Sequence, residues 1–392
     1  MEPVLPKSAV APAGRVSHMV QSDIRAMTRQ CDAVGGINLG QGICDLPLPQ
    51  LVRDGAVAAI DGGHNIYSYP EGARELRQAI AAKLARDNGI NADPDTEIVV
   101  TVGATGAFTA AVLALLDAGD GIVIPEPYYG YHLNSALLAG LVPQYLTLAA
   151  PEFTLTQAAL EAVVDDTTRA IVLCTPSNPS GKMLSAEELD AVGRVAAARD
   201  LLVITDEIYE YIRYDGREHI SPATRPALAG RVVTIMGLSK TFSITGWRLG
   251  YAVAPPELAR AMTLVHDLYY VCAPTPLQIG AAAGFAAPAS FFEDLARDYE
   301  EKRGVLATAL GAAGLTPIVP EGAYYMLADV SSLDCSSSKE AALRILRECG
   351  VASVPGSSFY RGRAGESLVR FCYAKEMDVL AEACRRLAAF KP

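Results

Sequence analysis

The sequence predicts an α/β protein with a mostly parallel sheet and a second, smaller α+β domain. One observation is the length of 392 residues, which exceeds the size at which a single hydrophobic core normally stops growing. Another is the alternation, from about residue 95, of short β-branched runs with longer helical ones, which is typical of a parallel sheet with helices on both faces. The third is a change of this pattern at about residue 287.

Six short apolar runs rich in β-branched residues predict the strands of the large domain. Between the third and the fourth run, Ser185 and Glu188 form a capping-box pattern ahead of Leu189, Val192 and Val195 at helical spacing. A helix that crosses from one parallel strand to the next is therefore expected there. The six runs cover residues 98–102, 121–124, 170–174, 201–205, 231–236 and 249–253.

The C-terminal part begins with the pattern of one long helix, followed by an apolar run at 323–330, a helix pattern at 339–349, further strands and a last helix. Residues 1–45 are rich in Pro and Gly and look like an arm that belongs to neither core. We therefore predict an N-terminal arm (1–45), a large domain (46–286) and a small C-terminal domain (287–392). The long helix carries its apolar stripe at Phe292, Leu295, Tyr299, Leu306 and Leu310.

Composition narrows the function classes. A net charge of −11 and a pI near 5.0 argue against sequence-independent nucleic-acid binding, which needs a basic surface. No run of 18 apolar residues and no signal-peptide pattern occurs, so we expect no membrane partner. The eight cysteines contain no CxxC pair, and only five histidines accompany them, which indicates neither a metal site nor a disulfide framework. Reduced thiols favour a cytoplasmic protein that acts on small molecules.

Lys240 stands in a Gly-, Ser- and Thr-rich segment between apolar runs. The strand pattern at 231–236 places this lysine at the end of a buried sheet, the edge where open α/β folds bind ligands. Burial favours the neutral form of an amine, lowers its pKa from about 10.4 and lets it attack a carbonyl group to form a Schiff base. Pyridoxal 5'-phosphate is the aldehyde that this chemistry suggests.

Three other interpretations of the Lys240 segment were weighed. A phosphate-binding P-loop would need glycines where Ser239 and Thr234 stand, so that motif is absent. A hydrolase nucleophile elbow would need a second glycine where Thr241 stands. A solvated lysine on a loop is the common case for any lysine, and only the surrounding motifs argue against it.

Further polar residues follow the predicted strands. Asp206 closes the apolar run 201–205, where its carboxylate would keep a pyridinium ring protonated, or would cap a following helix. Tyr209 could donate to the phenolic oxygen of the cofactor, or merely pack. Asn178, held between two prolines after the run 170–174, suits the same oxygen but is also a common turn residue.

Anion-binding groups complete the set of candidates. Small residues at 101–107, between a strand and a probable helix, leave the backbone N–H groups near Gly103, Ala104 and Thr105 open to a phosphate. Arg248 could neutralise that phosphate or form an ordinary surface ion pair. Arg370 lies in a strand pattern that predicts burial, so its guanidinium needs either the α-carboxylate of an amino acid or an internal salt bridge.

Taken together, these segments resemble the class I/II aminotransferases of the fold-type I pyridoxal-phosphate enzymes, the aspartate-aminotransferase superfamily. The likeness covers most of the chain, and the segments stand in the order of the family. They are residues 38–42, 67–72 with 75–77, 176–181, 206–209, 239–242 with 246–251, and Arg370.

The resemblance implies a large domain that binds pyridoxal 5'-phosphate on a mostly parallel seven-stranded sheet between helices, a smaller α+β domain, and an arm that contributes to the small domain and the substrate site. It also implies that Lys240 forms the internal aldimine and shuttles the proton, and that Arg370 grips the substrate carboxylate. Asp206 would pair with the pyridinium, and Asn178 and Tyr209 would hold the phenolic oxygen. The remaining implied contacts are Gly103, Ala104, Thr105, Ser239 and Arg248 at the phosphate, Tyr128 stacked on the ring, and Gly42, Ile43 and Tyr360 on the substrate side.

The implied activity is transfer of an amino group from an L-α-amino acid to a 2-oxo acid, with 2-oxoglutarate as the acceptor. A lyase, synthase or oxidase on the same scaffold is the alternative, because the same cofactor supports those reactions. Tyr67 resembles the phosphate contact donated by a neighbouring subunit, which implies a homodimer with shared active sites. A regulatory module with an aminotransferase-like domain is a remote third reading, since no basic helix-turn-helix pattern occurs.

The sequence departs from the family pattern at three places. Gly237 stands where many relatives carry a phosphate-binding Ser, three residues before the lysine. Cys44 replaces the usual Pro, and Tyr360 stands where a small residue is common. Phosphate binding is therefore expected to depend more on Thr105 and Ser239, and the departures at Cys44 and Tyr360 fall in segments that resemble substrate-side loops.

Overall fold

The computed structural model describes residues 10–11, 13–17, 19, 23–44 and 46–391. Its α-helices are α1 (Gly14–Ser17), α2 (Asp23–Ala33), α3 (Gln50–Asp61), α4 (Arg74–Lys83), α5 (Gly103–Leu115), α6 (Gly130–Leu138), α7 (Gln157–Glu161), α8 (Ala186–Arg199), α9 (Leu238–Thr241), α10 (Pro256–Tyr270), α11 (Thr275–Gly284), α12 (Ala289–Ala312), α13 (Ser338–Cys349) and α14 (Met377–Ala388). Its strands are β1 (Ile37–Asn38), β2 (Ile98–Val102), β3 (Gly121–Glu126), β4 (Val142–Thr147), β5 (Thr168–Cys174), β6 (Leu202–Asp206), β7 (Val232–Gly237), β8 (Leu249–Val253), β9 (Thr316–Ile318), β10 (Tyr325–Asp329), β11 (Val351–Ala352), β12 (Val354–Pro355) and β13 (Leu368–Cys372). A π-helical turn (Leu84–Asn88) and five short 3-10 turns (Pro222–Thr224, Pro226–Leu228, Thr245–Trp247, Ser331–Leu333, Gly356–Phe359) complete the elements.

The larger sheet has seven strands in the order β2-β8-β7-β6-β5-β3-β4. Neighbouring strands from β7 to β4 are parallel, whereas β8 pairs antiparallel with both β2 and β7. The predicted mostly parallel, seven-stranded sheet is thus confirmed. All six strands expected from the sequence are present, and their ends differ from the expected ones by at most two residues.

Strand β4 is the one that the sequence did not predict. It lies at the edge of the sheet, pairs only with β3 and is largely accessible, with Leu146 its single buried residue. Its sequence includes Pro143, which cannot donate to a strand ladder on the side where a neighbour would pair. An accessible edge strand lacks the continuous apolar run by which buried parallel strands are recognised.

Helices cover both faces of this sheet because alternate strand residues point to opposite sides. In β5, Val172 belongs to the core under α5, while Ile171 and Leu173 belong to the core under α8. The expected capping box starts α8: the hydroxyl of Ser185 accepts from the N–H of Glu188, whose carboxylate accepts from the N–H of Ser185. This pair satisfies backbone donors that would otherwise be unpaired at the helix start.

The C-terminal part contains a four-stranded antiparallel sheet in the order β12-β13-β10-β9, covered by α12, α13 and α14. The N-terminal segment joins this part, since β1 pairs parallel with β11. Met27, Cys31, Leu39 and Cys44 lie in the same hydrophobic core as the small-domain helices. Residues 23–44 are therefore not an arm that belongs to neither core, because they are part of the core of the C-terminal part. Residues 1–9 of the predicted arm lie outside the described residues, and the domain boundaries stay predictions.

The carboxyl ends of β2, β6 and β7 meet at one edge of the seven-stranded sheet. Val102 pairs with Leu249 at the start of β8, Gly237 pairs with Gly250, and Asp206 pairs with Ile235. The candidate residues that follow these strands are thereby brought together. In the described part of the chain, no helix is long and apolar enough to cross a membrane.

Candidate active site

A cavity opens at this sheet edge. It lies between the start of α5, the end of β6 and the segment that joins β7 to β8. Six of its lining residues are ones that the sequence analysis singled out: Ala104, Thr105, Asp206, Ser239, Lys240 and Arg248.

Lys240 lies in α9, the single helical turn that directly follows β7. Its Nζ donates a hydrogen bond of 3.2 Å to the carbonyl oxygen of Gly42 and lies 5.3 Å from the centre of the Tyr324 ring. Burial is the main cause that lowers the pKa of Lys240 to about 8, and the charge of Arg248 lowers it further. Lys240 is thus a desolvated amine, and a large share of it is neutral near pH 8.

Asp206 is the last residue of β6, and its Oδ2 lies 2.9 Å from Nε2 of His132 in α6. Because a carboxylate accepts, the imidazole nitrogen that faces it carries the proton. The His132 ring is held by stacking on Phe108, with ring centres 4.5 Å apart. The alternative role of Asp206 as a helix cap is not supported, because the next α-helix along the chain is α9.

The start of α5 and Arg248 form the opposite end of the cavity. Gly103 has a φ of +68°, and a Cβ at this position would lie 2.6 Å from Nη2 of Arg248. A Cβ at Gly250 would lie 2.5 Å from the backbone nitrogen of Ala104. Glycine at both positions therefore lets the guanidinium, β8 and the helix start approach one another. A helix N-terminus beside an arginine suits a phosphate group.

The contacts of Arg248 and Gly237 refine two expectations. Arg248 donates from Nη1 to the carbonyl oxygen of Thr245 at 3.0 Å, and no carboxylate among the described residues pairs with it, so it is not an ordinary surface ion pair. A Cβ on Gly237 would lie 3.0 Å from Cγ2 of Ile208, which lines the same cavity. A serine at 237 would therefore press against Ile208, which accounts for glycine at this place.

Arg370, in the middle of β13, is 1% exposed. It donates from Nη1 to Oδ1 of Asn178 at 2.8 Å and from Nη2 to the carbonyl oxygen of Gly40 at 2.7 Å. Its Nε has no hydrogen-bond partner, and no carboxylate among the described residues pairs with it. The internal salt bridge weighed above is therefore absent there. A buried guanidinium without a counter-ion is a strong site for a carboxylate ligand.

Tyr209 and Asn178 lie on the Arg370 side and are not among the residues that line the cavity. The Tyr209 hydroxyl donates to the Tyr325 hydroxyl at 3.1 Å, and Tyr325 in turn stacks on Arg370, with the guanidinium carbon 4.3 Å from the ring centre. Asn178 is buried, and its Oδ1 is used by Arg370, so its amide N–H groups remain available to another acceptor.

The position expected for Tyr128 is wrong by one residue. The Tyr128 ring packs in the core beside Tyr145, and its backbone N–H donates to the carbonyl oxygen of Phe359 at 2.9 Å. Tyr129 lines the cavity instead and meets the His132 ring edge-on, with centres 5.3 Å apart. Two adjacent tyrosines after one strand cannot be told apart from the sequence, because only their orientation separates them.

The cavity lining also omits eight other predicted residues: Gly42, Ile43, Tyr67, Gly103, Asn178, Tyr209, Tyr360 and Arg370. Tyr360 is buried among apolar side chains that include Phe153 and Phe359, so it is not on the substrate side as expected. The Ile43 side chain is exposed, although Gly42 beside it contacts Lys240. Tyr67 is 77% exposed and does not line the cavity of its own chain.

The sequence analysis missed His132 and Tyr129. A usable signal existed, because the rule that ligand-binding residues follow strand ends applies to β3 as well as to its neighbours. Residues 127–132 directly follow β3 and contain both side chains.

The residues present fit pyridoxal 5'-phosphate. The cavity has a cation and a helix start at one end, a carboxylate fixed by a histidine at the other, and the lysine amine beside them. A cation beside a helix start suits a phosphate, a carboxylate suits a protonated ring nitrogen, and the absence of a Cβ at Gly103 lets Arg248 approach the helix start. Among the described residues, no group of three or more His, Cys, Asp or Glu side chains could hold a metal ion.

Comparison with known proteins places the chain in a family. Residues 34–387 match the model of aminotransferase class I and II. An aromatic-amino-acid aminotransferase of Thermococcus litoralis is 34% identical over 96% of this chain and 97% of its own. Among solved structures, an Escherichia coli protein with a methionine aminotransferase function aligns with a TM-score of 0.93 at 30% identity, covering 97% of this chain and 99% of its own. N-succinyldiaminopimelate aminotransferase from Mycobacterium tuberculosis gives 0.93 at 34% identity, covering 96% and 99%.

Enzymes of this family use pyridoxal 5'-phosphate to move amino groups between amino acids and oxo acids, and the match extends over nearly the whole chain. The chain therefore belongs to the class I and II aminotransferases and is a pyridoxal-phosphate-dependent aminotransferase.

Proposed function

We propose that the enzyme transfers the amino group of an L-α-amino acid to 2-oxoglutarate in an active site shared between two copies of the chain. The observation that carries this proposal is that one loop, residues 40–42, accepts hydrogen bonds from both Arg370 and Lys240. Gly40 accepts from the guanidinium, and Gly42 accepts from the amine. A carboxylate bound by Arg370 would therefore hold the α-carbon of an amino acid near Lys240.

When bound, pyridoxal 5'-phosphate supplies an aldehyde that takes up the amino group and a protonated ring that accepts electrons. Lys240 carries the cofactor and moves the proton at the α-carbon, a role supported by its lowered pKa. Asp206 keeps the ring nitrogen protonated, and His132 holds the Asp206 carboxylate in place. Tyr129 packs on the ring.

The other ends of the cofactor meet neutral donors and a cation. Tyr209 and the amide N–H of Asn178 would donate to the phenolic oxygen. Oδ1 of Asn178 already accepts from Arg370, which leaves its N–H groups for this role. The phosphate would be held by the backbone of Gly103, Ala104 and Thr105, by the Ser239 side chain and by Arg248; all but Gly103 line the cavity, and Gly103 lies against Arg248.

A half-reaction tests this proposal. Each of the twenty amino acids is added to the holoenzyme without acceptor, and absorption spectra follow the cofactor. We expect pyridoxamine phosphate to accumulate with at least one amino acid and 2-oxoglutarate to restore the starting spectrum. Release of ammonia or CO₂ without pyridoxamine phosphate would instead establish the lyase or oxidase alternative, and restoration by pyruvate but not by 2-oxoglutarate would refute the proposed acceptor.

Exposed apolar side chains support the proposal that two copies of the chain associate. Ile66 and Tyr67 are exposed on one loop, and Leu264 and Leu268 are exposed on α10, with Leu268 at 83%. Thr275 donates to the carbonyl oxygen of Ile66 at 2.8 Å, which ties this loop to the segment after α10. Large apolar side chains that are exposed in this way often mark a protein interface. The cysteines are free thiols, which supports a cytoplasmic location.

Mixing two defective variants should restore activity if Tyr67 completes the site of the partner. In a heterodimer of Tyr67→Ala with Lys240→Ala, one site carries both substitutions and the other carries neither. We expect each variant alone to be impaired and each heterodimer to recover about half of the activity of the unchanged dimer, because one of two sites is intact. Activity is measured on heterodimers isolated with two different affinity tags. An active monomer, or no recovery in isolated heterodimers, would refute the shared site.

A further inference from the structure

Tyr325, the first residue of β10, contacts both Arg370 and Tyr209. Its ring lies against the guanidinium of Arg370, with 4.3 Å between the guanidinium carbon and the ring centre. Its hydroxyl accepts a hydrogen bond of 3.1 Å from the hydroxyl of Tyr209, and the two rings meet edge-on. One side chain thus joins two groups that otherwise have no direct contact.

The surroundings of Tyr325 hold it in one orientation. A Cβ on Gly42 would lie 2.0 Å from the Tyr325 hydroxyl, so the hydroxyl occupies space that any other residue at 42 would fill. The neighbouring Tyr324 donates to the carbonyl oxygen of Gly42 at 3.3 Å, and Lys240 donates to the same oxygen. The tyrosine pair therefore packs on the loop that also fixes the lysine amine.

The protonation states of Tyr209 and Tyr325 determine which of the two hydroxyls can donate to the other. Burial raises the pKa of Tyr209 well above its ordinary value of 10, and it raises the pKa of Tyr325 to about 12 despite the opposing charge of Arg370. Both phenols are therefore protonated at neutral pH. A phenol has a single proton, so Tyr209 cannot donate to Tyr325 and to the cofactor at once. When Tyr209 donates to the cofactor, Tyr325 is placed to donate to Tyr209, and consecutive hydrogen bonds strengthen one another.

We propose that Tyr325 is a positioning residue that couples carboxylate binding at Arg370 to the cofactor through the Tyr209 hydroxyl. This inference rests on the proposed function, because it assigns Arg370 to the substrate and Tyr209 to the cofactor. The Tyr325 side chain thus provides a second connection between Arg370 and the cofactor, besides the hydrogen bond from Arg370 to Asn178. A carboxylate at Arg370 offsets the cationic charge on the Tyr325 ring, and that change reaches Tyr209 through the hydrogen bond between the two hydroxyls.

A buried tyrosine pair elsewhere in the fold provides a matched control. The Tyr373 hydroxyl donates to the Tyr214 hydroxyl at 2.9 Å, and Arg303 stacks on the Tyr214 ring at 4.5 Å. Tyr214 therefore shares with Tyr325 its burial, an arginine on its ring and a tyrosine partner. Tyr214→Phe removes a comparable hydroxyl, which donates to the carbonyl oxygen of Ala323 and has no hydrogen bond to Arg370, Tyr209 or Lys240.

The experiment measures the pH at which the bound cofactor changes its absorption, with and without saturating 3-phenylpropanoate as a non-reacting carboxylate. We expect the carboxylate to move this midpoint in the unchanged holoenzyme and in Tyr214→Phe. In Tyr325→Phe the displacement should fall to less than half, while the dissociation constant of 3-phenylpropanoate changes by no more than about 10-fold, the range of one hydrogen bond. By linkage, that dissociation constant should also become less dependent on pH.

A double-mutant cycle separates coupling from general damage. If Tyr325 acts through Tyr209, Tyr325→Phe should leave the midpoint displacement unchanged in a Tyr209→Phe background. The proposal is overturned if Tyr325→Phe shows the full displacement, if Tyr214→Phe reduces it equally, or if the two substitutions act additively. It is also overturned if the carboxylate moves no midpoint in the unchanged enzyme. In that case, pyridoxamine phosphate formation in the half-reaction would still support the proposed function.

Discussion

Replacing Lys240 by alanine should abolish covalent attachment of pyridoxal 5'-phosphate and lower the rate of amino-group transfer by about 10²- to 10⁴-fold, the range for a lost acid–base group. Lys240 is the lysine that lines the cavity, and its amine is desolvated. Borohydride reduction followed by peptide mapping locates the attachment. We expect the label on Lys240 in the unchanged enzyme and no label in Lys240→Ala.

Lys182→Ala is the control for this experiment. Lys182 also follows β5 near the site, but it pairs with Glu188 at 3.3 Å and does not line the cavity. This variant should keep the label and most of the activity. Label on any lysine other than Lys240 in the unchanged enzyme would remove the basis of the proposed mechanism.

The lowered pKa of Lys240 also predicts how the rate of cofactor attachment depends on pH. Burial lowers the pKa of Lys240 to about 8, so the neutral, reactive fraction rises with pH through 8 and changes little above about pH 9. The rate at which cofactor-free protein takes up pyridoxal 5'-phosphate should therefore level off there. Nα-acetyllysine, with a pKa near 10.4, should still react faster at pH 10 than at pH 9. If the uptake rate instead keeps rising between pH 9 and pH 10, as expected for Nα-acetyllysine, Lys240 is not a desolvated amine.

The parallel strands of the large sheet could be predicted because burial on both faces leaves continuous apolar runs in the sequence. The edge strand β4 could not, because accessible residues carry no such signal and Pro143 argues against a strand. The packing of residues 23–44 on the C-terminal part could not be predicted from their composition and was implied only by the family resemblance. Their Pro- and Gly-rich neighbours suggest a loose arm, whereas the pairing of β1 with β11 joins residues that are distant along the chain.

The candidate site was predictable where a strand end fixes a residue. Asp206 and Lys240 follow buried strands, and both line the cavity. Orientation was not predictable: the choice between Tyr128 and Tyr129 depends on which ring faces the cavity, and Tyr360 faces the core although its segment resembles a substrate-side loop of the family. His132 reaches Asp206 from α6, a contact between elements that local sequence does not encode.

The carboxylate of Asp206 is expected to be nearly as important as Lys240. Asp206→Asn should lower the rate of amino-group transfer by about 10²- to 10³-fold, the range for loss of one preorganised electrostatic group. The amide has nearly the same shape, and its oxygen can still accept from Nε2 of His132, so folding should be retained. It carries no charge, however, and cannot keep a ring nitrogen protonated.

Glu207, the next residue, tests whether loss of charge or loss of packing causes this effect. Its carboxylate is fully buried, accepts from Thr205 and Ser221, and lies 2.7 Å from Nε2 of His219, as Asp206 lies beside His132. Glu207 does not line the cavity. Glu207→Gln should therefore lower thermal stability while its activity per folded molecule stays close to that of the unchanged enzyme. Measured turnover and thermal unfolding of both variants separate the effects. If folded Asp206→Asn turns over at a near-native rate, or if Glu207→Gln loses as much activity per folded molecule, the charge of Asp206 has no special part in the chemistry.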